Sequence, residues 1–173
     1  PAQAAPLAGM LAVSNTSPLR YLIAADQTDL LAQLFGEILI PPGVADELSD
    51  AAAPLIVRQW IARPPAWLRI HLLSFPPDAE LVSALDRGER EAIQLTMEQK
   101  ADVLIMDEWK GRLIAHSRGL PLTGALGVLG DAYRKGLIDT PLQLLANMRQ
   151  QGFHISDQLA AKFKALLQSR YAR

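Results

Sequence analysis

The stretch from Glu89 to Gly119, EREAIQLTMEQKADVLIMDEWKGRLIAHSRG, passes from one periodicity to another and back. Up to Lys100 the residues Ala92, Ile93, Leu95 and Thr96 recur at helical spacing, so a helix is expected there. Val103-Leu104-Ile105-Met106 is then apolar without alternation, and Asp107-Glu108 stops it. A second helix follows to Arg118-Gly119, expected to turn Leu113 and Ile114 inward. A short strand apolar on both sides and set between two helices belongs in a parallel sheet covered on both faces.

The rest of the chain repeats that arrangement. Met10 to Val13 reads as a buried strand ending at Ser14-Asn15. A helix then carries Leu19, Leu22 and Ile23, with Pro18 in its first turn and Ser17 expected as its cap. Asp29 to Phe35 is a short helix closed by Gly36, and Ile38 to Ile40 is a strand halted by Pro41-Pro42. A helix from Gly43 holds Val44, Glu47 and Leu48, and another is expected over Pro54 to Ala62. After Pro64-Pro65 a third strand falls within Trp67 to Leu73, and Pro76-Pro77 begins a helix-and-turn segment ending at Gly88. Leu120 to Leu122 is a fifth strand, and Thr123-Gly124 opens a helix of small residues. Two amphipathic helices, Thr140 to Gln150 and Ser156 to Ser169, close the chain. The fold class is therefore α/β, a three-layer α/β/α sandwich on a mainly parallel sheet. Residues 10 to 173 read as one domain, and residues 1 to 9 as a leader or appended remnant before a native start at Met10.

At 173 residues the chain can bury one substantial core. A net charge of −1 gives no overall basic field for collecting nucleic acid, so any phosphate-binding surface must be a local patch. The absence of cysteine excludes disulfides, thiolate metal sites and a cysteine nucleophile, and fits a reducing cytoplasm. No apolar run is long enough for a membrane span. His71, His116 and His154 lack metal-ligand spacing, which argues against zinc.

In open parallel sheets ligands gather beyond the carboxyl ends of the strands. Asn15, Thr16 and Ser17 follow the first strand, Asp107 and Glu108 follow the fourth, and Glu47 and Glu91 lie near helix starts. Glu91 is expected inward rather than Glu89, two residues away on another face. Oxygen groups meeting at one edge suit a hard divalent cation, whose retained waters can attack a phosphodiester. The same acids can equally serve as caps and helix-dipole partners. Thr16 and Ser17 read as caps rather than nucleophiles, with no histidine motif nearby to activate them. Arg87, Arg90, Lys110, Arg112 and Arg118 either hold RNA phosphates or form a solvated face paired with Glu89 and Glu108. Trp60, Trp67 and Trp109 read as packing groups, with base stacking a second reading for Trp109.

Three segments in order, VSNTSPLRYLIAADQTDLLAQLFGEILIPPGVADEL, LDRGEREAIQLTMEQKADVLIMDEWKGRLIAHSRGLPLTGALGVLGDAYRKGLI and the GFHIS of the tail, resemble PIN-domain proteins. More narrowly they resemble the prokaryotic branch related to VapC toxins. The resemblance covers about residues 10 to 167 and implies an Mg2+- or Mn2+-dependent ribonuclease. Carried over position by position, it places the four metal-holding and catalytic groups on Asn15, Glu47, Glu91 and Asp107. The polar residue beside the first acid falls on Thr16 or Ser17. It also implies a homodimer held by a small antitoxin.

Asn15 departs from the pattern, because an amide oxygen can ligate a metal but brings no charge. The expectation is thus an endoribonuclease with Thr16, Ser17, Arg90, Lys110 and Arg112 toward RNA. The alternative is the same fold with catalysis weakened or lost, binding RNA or a protein. A phosphoryl-receiver domain is disfavoured, since it requires acids after the first strand, which here ends on an asparagine.

Overall fold

The structure is a computed structural model, and it describes residues 9 to 169. Residues 1 to 8, on which most of the expected leader falls, lie outside the described residues.

Five strands form one sheet: β1 (Met10–Ser14), β2 (Gly36–Ile40), β3 (Leu68–Ile70), β4 (Val103–Ile105) and β5 (Leu122–Thr123). Their order is β3-β2-β1-β4-β5 and every pairing is parallel. Chain order reverses beside β1, so β1 and β4 diverge at the carboxyl edge as at the switch point of other doubly wound sheets.

Alternation along these strands supplies both faces of the core. Ala12, Ile38, Ile40, Val103 and Ile105 point to one face, where they meet Leu19, Leu22 and Leu31 of α1 (Thr16–Ala24) and α2 (Asp29–Phe35). Val44 and Leu48 of α3 (Pro42–Ser49) and Val57 of α4 (Leu55–Ala62) join that cluster. Val13, Leu39 and Leu104 point to the other face, against Leu81 of α5 (Ala79–Ala84), Ile93 and Leu95 of α6 (Arg87–Gln99) and Ala115 of α7 (Trp109–Ser117). Val128 and Leu129 of α8 (Ala125–Arg134), Met148 of α9 (Pro141–Gln150) and Phe163 of α10 (Asp157–Gln168) extend the first face. The result is a three-layer α/β/α sandwich, as the unbroken apolar strands require.

Local signals explain most of the boundaries. Helix α6 starts at a capping box in which Asp86 Oδ1 accepts from Glu89 N at 3.0 Å and Glu89 Oε2 accepts from Asp86 N at 3.2 Å. It ends at Lys100, whose left-handed backbone (φ +48°) turns the chain toward β4 without a glycine. Asp102 locks that turn onto β1: its Oδ2 accepts from Leu11 N and its own N donates to Leu11 O, both at 2.8 Å.

Four expectations need correction. Helix α1 begins at Thr16, and its N-cap position is Asn15, not Thr16 or Ser17; no side chain caps it, because Thr16 Oγ1 donates to Glu47 and Ser17 Oγ donates to Glu108 at 2.8 Å. Leu113 is 61% exposed, because α7 packs through its small residues Gly111 and Ala115. Gly88 does not end a turn but lies in the first turn of α6, where Asp86 caps. Trp109 is 74% exposed and is not a packing group, unlike Trp60 and Trp67, whose rings meet at 6.1 Å.

Candidate functional site

The site forms where β1 and β4 leave the sheet and the first turns of α1, α3, α6 and α8 converge. Asn15 extends the ladder by one bond, its N–H donating to Ile105 O at 2.9 Å, and is only 2% exposed. An asparagine at an N-cap ordinarily turns its oxygen onto the helix's own first turn. Here it does not, and Oδ1 is buried without a partner.

Asp107 stands beside it at the end of β4. Its Oδ1 accepts from Ala125 N, the first N–H of α8, at 2.9 Å, while Oδ2 is buried with no partner. Burial raises its carboxyl from the ordinary 3.8 to about 6, against the opposing pull of the Ala125 N–H and of Arg112. Burial, with the charges of Asp107 and Glu108, also raises the hydroxyl of Tyr21, which places that ring in the same negative field.

The two glutamates are held differently. Glu47 on α3 accepts from Gly88 N of α6 at 3.1 Å through Oε1, and its Oε2 accepts from Thr16 Oγ1. Glu91 on α6 accepts from Gly43 N of α3 at 2.6 Å through Oε2, and its Oε1 is bound by Arg87 Nε at 2.9 Å. Each helix therefore donates an otherwise orphaned first-turn N–H to the acid carried by the other. The expected caps are real, but they act across helices. The fit depends on glycine: a Cβ at Gly88 would lie 2.5 Å from Glu47 Oε1, one at Gly43 2.7 Å from Glu91 Oε2, and one at Gly124 2.5 Å from Asp107 Oδ1.

The structure thus brings Asn15, Thr16, Glu47, Glu91 and Asp107 to one edge. Among the described residues, however, no group of three or more His, Cys, Asp or Glu side chains could hold one metal ion. The donors left over are one amide oxygen and one carboxylate oxygen just past the carboxyl ends of neighbouring strands, both buried and unpartnered. Orphaned buried oxygens are costly, and a hard cation that keeps most of its waters is satisfied by this few protein ligands. The donor set therefore fits a divalent ion.

The candidate RNA-binding groups are less uniformly placed. Arg112 is tied to Met106 O at 2.7 Å and Arg90 to Leu85 O at 3.3 Å. Lys110 is exposed. Arg87 bridges Glu91 and Asp46, and Arg118 pairs with Asp78 and Glu80, so neither binds Glu89 or Glu108. A cleft of about 380 Å3 opens beside Thr16 and Glu47, with Arg20, Gly43 and Asp46 in its wall. A second, of about 330 Å3, opens beside Asp107, Arg112 and Gly124. Sequence reasoning missed Arg20 and the three glycines. The spacings Gly43 to Glu47 and Gly88 to Glu91 held the signal, but only the docking of α3 on α6 gives them meaning.

A parallel sheet with an amide beyond β1 and acids beyond β4 is the frame of the site, and the family to which the chain compares suggests a nuclease-type fold. The family model described as a PIN domain matches residues 11 to 169, and the chain belongs to the PIN-domain family. PIN domains generally use divalent metals, and the family suggests nucleic-acid binding. No curated protein matches the chain. No helix among the described residues is long and apolar enough to cross a membrane.

Proposed function

We propose that the protein is an endoribonuclease dependent on Mg2+ or Mn2+, and that it acts as the toxin of a toxin-antitoxin pair. The observation that carries this reading is the pair of buried, unpartnered oxygens, Asn15 Oδ1 and Asp107 Oδ2, at the ends of adjacent strands. Those two atoms would hold the ion directly, with Glu47 and Glu91 as the carboxylates behind them. A divalent ion bound there supplies a water acidic enough to attack a phosphodiester at neutral pH, and charge to offset the phosphate.

The chain's own residues do the remaining work. The Ala125 N–H fixes the Asp107 carboxylate so that one oxygen faces inward. Thr16 and Gly88 fix Glu47, and Gly43 and Arg87 fix Glu91, so the acids are preorganised before substrate arrives. Ser17 steadies Glu108 at the mouth. Lys110, exposed on α7, is free to meet a phosphate, and Arg90 and Arg112 add positive charge nearby. The same reading makes the protein a cytoplasmic homodimer restrained by a small antitoxin.

Asp107→Ala should abolish metal-dependent cleavage of single-stranded RNA while leaving the fold intact by circular dichroism. Unchanged cleavage would overturn the assignment. The uncharged Asn15 supports a second reading, a catalytically weak module that binds RNA or a protein. Saturable manganese binding by the wild-type protein favours the nuclease, and its absence favours the module.

A further inference from the structure

Most of the guanidinium groups around the acid edge are already engaged. Arg87 is held by Asp46 and Glu91, Arg112 by a backbone carbonyl and Arg90 by another. The Arg20 side chain makes no hydrogen bond or ion pair with any described residue, and its charge acts on the neighbouring Tyr21 hydroxyl. It stands four residues after Thr16 on α1, one turn along the same helix face.

Its position is unusual in a second respect. Arg20 lines the 380 Å3 cleft that contains Thr16 and Glu47, and it also lines a separate cleft of about 220 Å3. That second cleft is lined by Tyr21, Pro54 and Ile56, with Ser17 and the amide-bearing Gln151 also among its lining residues. Tyr21 is fixed there by its edge-on contact with Phe153, ring centroids 4.7 Å apart, and its hydroxyl donates to Gly152 O at 3.4 Å. An aromatic and aliphatic wall with one amide suits a flat heterocycle that has a hydrogen-bonding edge. A free guanidinium between two clefts suits the phosphate that joins the groups occupying them.

We propose that Arg20 is a substrate-positioning residue that holds the phosphate next to the scissile one, and that the Tyr21-Ile56-Gln151 cleft seats the adjoining base of a single-stranded RNA. The proposal rests on the nuclease reading of the acid edge and adds to it a direction for the strand, from the Glu47 cleft past Arg20 to Gln151. A cleft of this size admits a single splayed base and excludes a duplex.

The test uses the full chain with Mg2+ and a fluorescein-labelled single-stranded RNA hexamer with phosphorothioate linkages, read by anisotropy over a salt series. Arg20→Ala should weaken binding about tenfold and lower the slope of log affinity against log salt by about 0.7, the value of one lost phosphate contact on a single strand. Arg20→Lys should recover the slope but only part of the affinity. Ile56→Glu, at a half-exposed position that tolerates a polar side chain, should weaken binding by setting a carboxylate beside the base. Lys164→Ala on α10 makes the same charge change away from both clefts and should alter neither quantity. If Arg20→Ala matches Lys164→Ala in affinity and slope, the proposal is wrong, even where Asp107→Ala still loses cleavage. If the wild-type protein binds no RNA at all, both this proposal and the nuclease reading fall.

Discussion

Replacing Asp107 by asparagine should make the metal-free protein more stable at neutral pH. The folded protein holds the Asp107 proton more tightly than the unfolded chain does, with the carboxyl raised from 3.8 to about 6. Below about pH 4 both states are protonated and the group costs nothing. As pH rises from about 4 to about 6 the unfolded chain ionises while the folded state still holds its proton, so stability falls, and the loss levels off once the folded group ionises too. A shift of about two units corresponds to about 3 kcal/mol. Asparagine keeps an oxygen for the Ala125 N–H and removes the charge, but it puts an NH2 where Oδ2 finds no partner, at a cost of about 1 kcal/mol. The net expectation is a gain of about 2 kcal/mol at pH 7 that vanishes, and reverses slightly, by pH 4. Urea unfolding of both proteins in EDTA across pH 4 to 7.5 measures it, and the difference between them isolates Asp107 from the other acids. Millimolar Mn2+ should reverse the order at pH 7 by stabilising the wild-type protein alone. A difference independent of pH, or a variant no more stable than wild type at pH 7 in EDTA, refutes the reasoning.

Three further outcomes follow from the same geometry. Asn15→Asp adds a second buried carboxylate oxygen beside Asp107, so calorimetric titration should show tighter Mn2+ binding by tenfold or more, with lower stability when metal is removed; unchanged affinity would place Asn15 outside the site. Gly88→Ala introduces a methyl group 2.5 Å from Glu47 Oε1. It should leave the melting temperature within a few degrees of wild type but lower RNA cleavage sharply, and full activity would show that Glu47 needs no such seat. Lys100→Gly removes a left-handed non-glycine residue at the end of α6 and should stabilise the protein by about 1 kcal/mol in denaturant unfolding.

The elements were readable from the sequence because apolar runs and proline or glycine stops act locally. The run Val103 to Met106 reads as a strand buried on both faces, observed over Val103–Ile105, and Pro41-Pro42 stops the strand before it. Misreadings arose where a distant partner decides. Ser17 looks like a cap until Glu108, 91 residues away, claims its hydroxyl. Leu113 looks inward until the closer packing of Gly111 and Ala115 rotates α7. At the candidate site the identities of Asn15, Glu47, Glu91 and Asp107 were visible, but their supports were not. The bonds from Gly88 to Glu47 and from Gly43 to Glu91 join residues 41 and 48 positions apart. No periodicity along one helix encodes a register between two. Arg20 was passed over for a related reason: its distinction is the absence of a partner, which only the folded chain reveals.

The exchange of carboxylates between α3 and α6 also bears on how the site can move. Swinging Glu47 or Glu91 away breaks a bond between the two helices, so opening the acid face loosens their docking although the core contacts beneath it remain. Hydrogen exchange at the Gly43 and Gly88 amides should then report directly on that opening. A centre fastened this way has no resting position in which its acids are disarmed.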